Sequence, residues 1–232
     1  MLAFNSICLR AFGKFHYLNC KHSRILSVFN RYFCKNEPKY ITLPMNFCSN
    51  CGYEKLAFRI PPLDSLPRYI CDRCGTIHYQ NPKLVVGCIP ELEEKVLLCR
   101  RAIEPRYGYW TLPAGFMENG ESTEEGAIRE TYEEANAEIK GTLKLFSIYS
   151  IPSINQVHLF FKASLKDHGY KSGSESLEVK LFDYDNIPWD KLAFATVKKT
   201  LIHYLEDLTS AEEKVHVGTI EKSPQIKRED KT

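Results

Sequence analysis

The chain has 232 residues, 44% apolar and 26% charged, with a net charge of +2 at neutral pH. That size and balance fit one globular domain with a small appendage, and they provide no strong field for steering nucleic acid. No run of about 18 apolar residues occurs, so no membrane span is expected, and the odd total of nine cysteines argues against a complete disulfide framework.

Residues 1–44 stand apart. No acid precedes Glu37, while Arg10, Lys14, Lys21, Arg24, Arg31 and Lys35 alternate with Phe, Leu, Tyr and Ile. A basic, acid-free leader reads as an organelle transit peptide, which would place the protein in a plastid or mitochondrion. The competing reading is an untranslated extension, with Met45 as the start and a cytoplasmic protein.

Residues 46–80 carry Cys48-x2-Cys51 and Cys71-x2-Cys74, separated by 19 residues. This is the spacing of a four-cysteine zinc ribbon. Four thiolates close a tetrahedral shell, so the zinc would be structural, and a piece this short needs it for stability. Two disulfides are the competing reading. Lys55, Arg59, Arg68 and Arg73 face Glu54, Asp64 and Asp72 in number, which is no nucleic-acid stripe, so a nucleic-acid partner is not expected.

Residues 81–112 read as strands: Leu84–Ile89, a polar turn at Glu91–Glu94, then Lys95–Cys99. Cys88 and Cys99 are expected to fill core space. Arg100 and Arg101 follow, and a planar guanidinium suits bidentate phosphate binding, with a surface ion pair as the alternative. Tyr107, Tyr109 and Trp110 could stack on a nucleobase or simply join the core.

Residues 115–137 read GFMENGESTEEGAIRETYEEANA. Eight carboxylates fall between Glu118 and Glu138 against the single cation Arg129, a self-repelling patch unless cations neutralise it. Ser122 with Glu125 forms a capping box and starts a helix. Ala127, Ile128, Thr131 (its methyl), Tyr132 and Ala135 are expected on its inward face, and Asn136 as its left-handed cap. Glu130, Glu133 and Glu134 stand at i, i+3 and i+4 on another face. Such a cluster of hard oxygen ligands suits Mg2+ or Mn2+ beside a phosphate.

Leu143–Ile151 and Gln156–Leu165 alternate as strands, with Pro152 and Asn155 at the turn, and residues 166–174 form a polar loop. Glu175–Phe182 enters another strand. Asp190 is expected to cap a second helix running to about Leu208, with Leu192, Val197, Leu201, Tyr204, Leu205 and Leu208 inward. Residues 209–232 read as a disordered tail.

The 115–137 stretch resembles the Nudix box, G-x5-E-x7-R-E-U-x-E-E-x-G-U with U aliphatic. Gly115, Glu121, Arg129, Glu130, Glu133 and Glu134 match, and Thr131, Asn136 and Ala137 depart mildly. With YQNPKLVVGCIPE, KVLLCRRAIEP and WTLPAGFMENGE, residues 46–210 resemble bacterial and plastid zinc-ribbon Nudix hydrolases. The resemblance implies an α/β fold, a Nudix α/β/α sandwich around a mixed sheet (81–208), after a four-cysteine ribbon. It implies metal-dependent cleavage of a pyrophosphate bond in nucleoside diphosphate derivatives, FAD (to AMP and FMN) or ADP-ribose (to AMP and ribose 5-phosphate). Glu130 and Glu134 would be the principal metal ligands, with Glu133 sharing them. Arg129 would pair with Glu121, Gly115 would hold the turn into the helix, and Glu175, in preference to Glu178, would be the distal carboxylate. Arg100, Arg101, Tyr109, Trp110 and Pro152 are the candidate substrate-binding residues. Pro152 lies 15 residues after Ala137, an offset resembling the ADP-ribose-cleaving group. The S-Q-P-W-P-F-P-x-S motif of the NADH-cleaving branch is absent. The alternatives are an NAD(H) pyrophosphatase acting also on NAD-capped RNA, or a non-catalytic nucleotide or RNA sensor. The family often forms homodimers.

Overall fold

The computed structural model describes residues 44–210 and 214–221. The readings of residues 1–44 as a transit peptide or untranslated extension fall outside them but for the last residue, Pro44.

The ribbon is a small antiparallel sheet of β1 (Leu56–Arg59), β2 (Arg68–Cys71) and β3 (Ile77–His78). The main sheet is mixed, with order β10-β5-β4-β9-β8-β11. Its strands are β4 (Lys83–Leu92), β5 (Lys95–Arg101), β8 (Ile139–Ile151), β9 (Gln156–Leu165), β10 (Ser176–Asp183) and β11 (His216–Thr219). β4 runs parallel to β9, and β8 parallel to β11. Two short strands, β6 (Trp110–Thr111) on β5 and β7 (Ala114–Phe116) on β4, lie in between. β4 and β5 pair directly only at Glu91–Val96 and Leu92–Lys95. Beyond that point they diverge around β6 and β7, which the sequence reading did not foresee because two- and three-residue strands carry no periodicity.

Helix α1 (Thr123–Ala135) covers one face of the sheet and α2 (Ala195–Ser210) the other. The run Val96-Leu97-Leu98-Cys99 is buried throughout, because alternate side chains feed both layers. Leu98 joins Phe160, Leu201 and Tyr204 under α2, while Leu97 and Cys99 join Ala135 and Leu165 under α1. Cys88 and Cys99 are core, as expected.

Several expectations need correction. On α1 the buried set is Gly126, Ala127, Thr131, Glu134 and Ala135, whereas Ile128 and Tyr132 are 39% and 54% exposed. Thr131 is buried, as expected, and its hydroxyl is satisfied by donating to Ala127 O at 2.8 Å. Asp190 does not cap α2. It sits in a separate 3-10 turn, Trp189–Lys191, and the helix starts at Ala195. Leu192 precedes the helix, and Leu208 is largely exposed. The turn in the β4–β5 hairpin is Glu93-Glu94, both left-handed. The supposed tail contains β11, held by register to β8 and by His216 Nε2, 2.8 Å from Asp207 Oδ2 on α2.

Gly173, in the loop before β10, has no room for a side chain. An added Cβ would lie 1.8 Å from Glu133 O and 2.9 Å from its carbon, both backbone atoms of α1. Gly173 N also donates to Glu134 O. Gly173→Ala should therefore destabilise by about 2–3 kcal/mol, lowering the thermal midpoint by roughly 5–10 °C, and displace the loop that carries Glu175. Calorimetry with activity measured below the midpoint checks both.

Candidate active site

The loop from β7 into α1 is tied down locally. Ser122 Oγ accepts from Glu125 N at 3.2 Å and Ser122 N donates to Glu125 Oε2 at 2.7 Å, a complete capping box. Asn136 closes the helix in the left-handed region, φ 46°, where Asn is tolerated. Arg129 then organises the acidic face. Its fork donates to Glu121 at 2.9 and 2.8 Å, to Glu130 at 2.8 Å and to Glu133 at 3.1 Å. Nη2 also donates to Phe116 O at 3.1 Å, joining helix to loop. The guanidinium hydrogen bonds hold the Glu121 carboxyl down at about 2. Arg129 thus ties Glu121, Glu130 and Glu133 to one another and to the loop.

Glu130 and Glu134 differ from Glu121. Burial raises Glu130. Burial, then the charge of Glu130, pushes Glu134 up to about 8. Glu134 is 7% exposed, and its Oε2 has no partner among the described residues. A buried oxygen left so is costly unless a ligand satisfies it. Gly115 does not hold the turn, as the sequence reading had it. It lies in β7 under the Glu130 carboxyl, and a Cβ there would stand 2.3 Å from both Glu130 oxygens. The glycine makes the space in which that carboxylate sits.

These groups line a cleft of about 890 Å3, a size suited to a nucleotide-scale ligand. Glu130, Glu133, Glu134 and Glu175 converge there with Arg101 and Arg129. Glu178 does not. It pairs with Arg100 at 3.6 Å, away from the cleft. The sequence-predicted substrate residues separate in the same way. Arg101, 9% exposed and anchored by Pro105 O at 2.9 Å, reaches the cleft. Arg100, Tyr109 and Trp110 line a different hollow with Tyr107 and Lys191, and Arg100 parts from Arg101 because successive residues of a strand point to opposite faces. Pro152 opens the 3-10 turn between β8 and β9, and its neighbours Ile151 and Ile154, rather than Pro152, line the cleft. Gln156, His158 and Ile220 also line it. The sequence reading missed all three, since single polar residues in an alternating strand, such as Gln156 and His158, give no signal, and Ile220 fell in the stretch read as a tail.

A four-carboxylate cluster with a buried, unpartnered oxygen fits divalent cations of the Mg2+ type. The ribbon cysteines form a second metal-competent group. The Sγ atoms of Cys48, Cys51, Cys71 and Cys74 all lie within 4.8 Å of one another. Cys48–Cys74 and Cys51–Cys71 are each 3.6 Å apart, close to the ~3.8 Å edge of a tetrahedral zinc–sulfur site and too long for a disulfide. All four thiols are free. Hydrogen bonds from the Thr76 hydroxyl and N–H draw the Cys74 thiol down to about 5, favouring the thiolate that zinc takes.

Against protein-family models, residues 81–205 match the NUDIX domain and residues 46–80 match the Nudix N-terminal zinc ribbon. The chain belongs to the Nudix hydrolase family. A NUDIX hydrolase structure from Nitrosomonas europaea is 53% identical, with a TM-score of 0.73, covering 77% of this chain and all of that one. An ADP-ribose pyrophosphatase of Methanocaldococcus jannaschii is 34% identical over 120 residues, 50% of this chain and 69% of that protein. An NAD-capped RNA hydrolase NudC of Vibrio vulnificus is 26% identical over 181 residues, 72% of this chain and 64% of that protein. The chain thus spans about two thirds of the length of these curated relatives. No helix among the described residues is long and apolar enough to cross a membrane.

Proposed function

We propose that this Nudix hydrolase cleaves the pyrophosphate bond of nucleoside diphosphate derivatives, with FAD or ADP-ribose as substrate and AMP as one product. The observation that carries the reading is that Glu130, Glu133, Glu134 and Glu175 line one nucleotide-sized cleft, with a Glu134 oxygen unpartnered. Mg2+ or Mn2+ held by Glu130 and Glu134, with Glu133 sharing, supplies charge neutralisation and water activation. Arg129 keeps the Glu130 and Glu133 carboxylates oriented, and Arg101 offers a buried cation to a phosphate oxygen. Glu175, which lines the same cleft, acts as the base that receives the proton of the attacking water. The ribbon cysteines hold zinc as a structural element.

Product analysis tests this directly. The protein with Mg2+ or Mn2+ is offered FAD, ADP-ribose and NADH in parallel. AMP with FMN or ribose 5-phosphate is the expected outcome, and absence of AMP from every mixture would refute the reading. Preferential NADH cleavage would instead support NAD(H) or NAD-capped RNA as substrate, the reading favoured by the likeness to the Vibrio vulnificus protein over 72% of this chain.

A further inference from the structure

Besides the carboxylates, the cleft is lined by the apolar residues Val85, Phe116, Ile151, Ile154 and Ile220. Strand register places Phe116, Val85 and His158 in one row, and Gln156 beside Ile151 in the next. Residues paired across strands share a face, so these side chains rise together.

Three polar groups form a chain within that apolar wall. Gln156 Oε1 lies 3.0 Å from His158 Nε2, and His158 Nδ1 lies 3.2 Å from Thr196 Oγ1 on α2. His158 is 9% exposed, and burial lowers its pKa to about 4, so the ring is neutral at physiological pH. A neutral imidazole has one N–H. Facing a carbonyl oxygen, Nε2 must carry it, and Nδ1 then accepts from the Thr196 hydroxyl. The Gln156 carboxamide is thereby locked, its oxygen held by His158. Its NH2 group is left as a donor without a partner among the described residues, in a residue that lines the cleft.

We propose that this apolar part of the cleft lining takes the planar nitrogen ring of the nucleotide, and that the Gln156 amide, oriented by His158 and Thr196, donates to a ring nitrogen or ring carbonyl. Apolar walls suit the faces of an aromatic heterocycle. A sugar there would press its hydroxyls unpaired against Val85, Ile151, Ile154 and Ile220, at a desolvation cost. The unpartnered amide donor calls for an acceptor, which a purine ring supplies. Gln156 is the ligand-touching residue, and His158 and Thr196 position it. The inference rests on the nucleotide-hydrolase reading and adds which end of the substrate is recognised and by what.

The test is calorimetric binding of AMP and of ribose 5-phosphate to the full chain with Mg2+, for wild type, Gln156→Met and His158→Phe. Both ligands carry a phosphate, and only AMP has a ring. The wild type is expected to bind AMP at least about tenfold more tightly. Gln156→Met should weaken AMP about 5- to 10-fold, the worth of one neutral hydrogen bond, and leave ribose 5-phosphate binding unchanged, at the cost of a modestly lower unfolding midpoint because His158 Nε2–H loses its acceptor. His158→Phe should erode the same AMP preference in the same selective way. Unchanged AMP affinity in Gln156→Met, or equal weakening of both ligands, would overturn the proposal. Hydrolysis of ADP-ribose by a wild type that binds AMP no more tightly than ribose 5-phosphate would also overturn it, with the function intact. The AMP preference without hydrolysis of any substrate would uphold it while refuting the function.

Discussion

Glu134→Gln is expected to lower turnover of any accepted substrate by at least about 100-fold, since a metal-bound phosphoryl site supplies several kcal/mol of barrier reduction and each 1.36 kcal/mol is a factor of ten. The amide keeps the shape of the side chain but presents a weaker, uncharged ligand. Glu134 is buried with an oxygen already unpartnered, and burial already disfavours its charged form, so the exchange removes a metal ligand rather than a stabilising charge. The thermal midpoint without metal should not fall. Calorimetric Mn2+ titration should show weakened binding in parallel with the lost rate. Wild-type rates in this variant would remove Glu134 from the metal site. Glu178→Gln makes the contrast: its partner Arg100 lies outside the cleft, so turnover should stay within about twofold, as for loss of an exposed ion pair.

Cys74→Ser should act on the other metal. A hydroxyl in place of the thiolate opens one corner of a shell whose sulfurs lie within 4.8 Å of each other. Bound zinc, measured by elemental analysis, should fall from near one per chain to well under half. The ribbon has only short strands of four, four and two residues, and without the metal it cannot bury enough surface to hold together. An unfolding midpoint lower by roughly 5 °C or more is expected, with the hydrolase cleft retaining activity below the transition. Unchanged zinc content would refute the ribbon centre. The exposed position of Cys74 makes the substitution a probe of ligation rather than of packing.

Legibility followed the range of the interactions. The capping box of Ser122 and Glu125, the left-handed Asn136 and the i, i+3, i+4 spacing of Glu130, Glu133 and Glu134 are local, so they could be read directly. So could the paired CxxC units, whose spacing is set by zinc geometry. Ile128 and Tyr132 misled, because helical periodicity allows two adjoining faces and only the position of the sheet selects one. The buried selection included Glu134, a carboxylate that hydrophobic patterning places outside. Arg100 and Arg101 looked equivalent in sequence, and a strand points them to opposite sides.

By itself the sequence determined the paired CxxC spacing, the carboxylate face of α1 and the alternation of the long strands, since each rests on contacts a few residues apart or on metal-ligand spacing, and the Nudix fold came from the resemblance of residues 46–210 to that family. Tertiary structure alone decided which side chains share the cleft. Glu175 arrives on a loop docked by Gly173 against α1, Arg101 rather than Arg100 turns inward, and Ile220 reaches the site because β11 pairs with β8 some 70 positions earlier. The Gln156–His158–Thr196 chain joins a strand to a helix about 40 residues on. Such pairings are fixed by strand register and by the packing of α2 on the sheet, quantities that no local pattern of residues encodes.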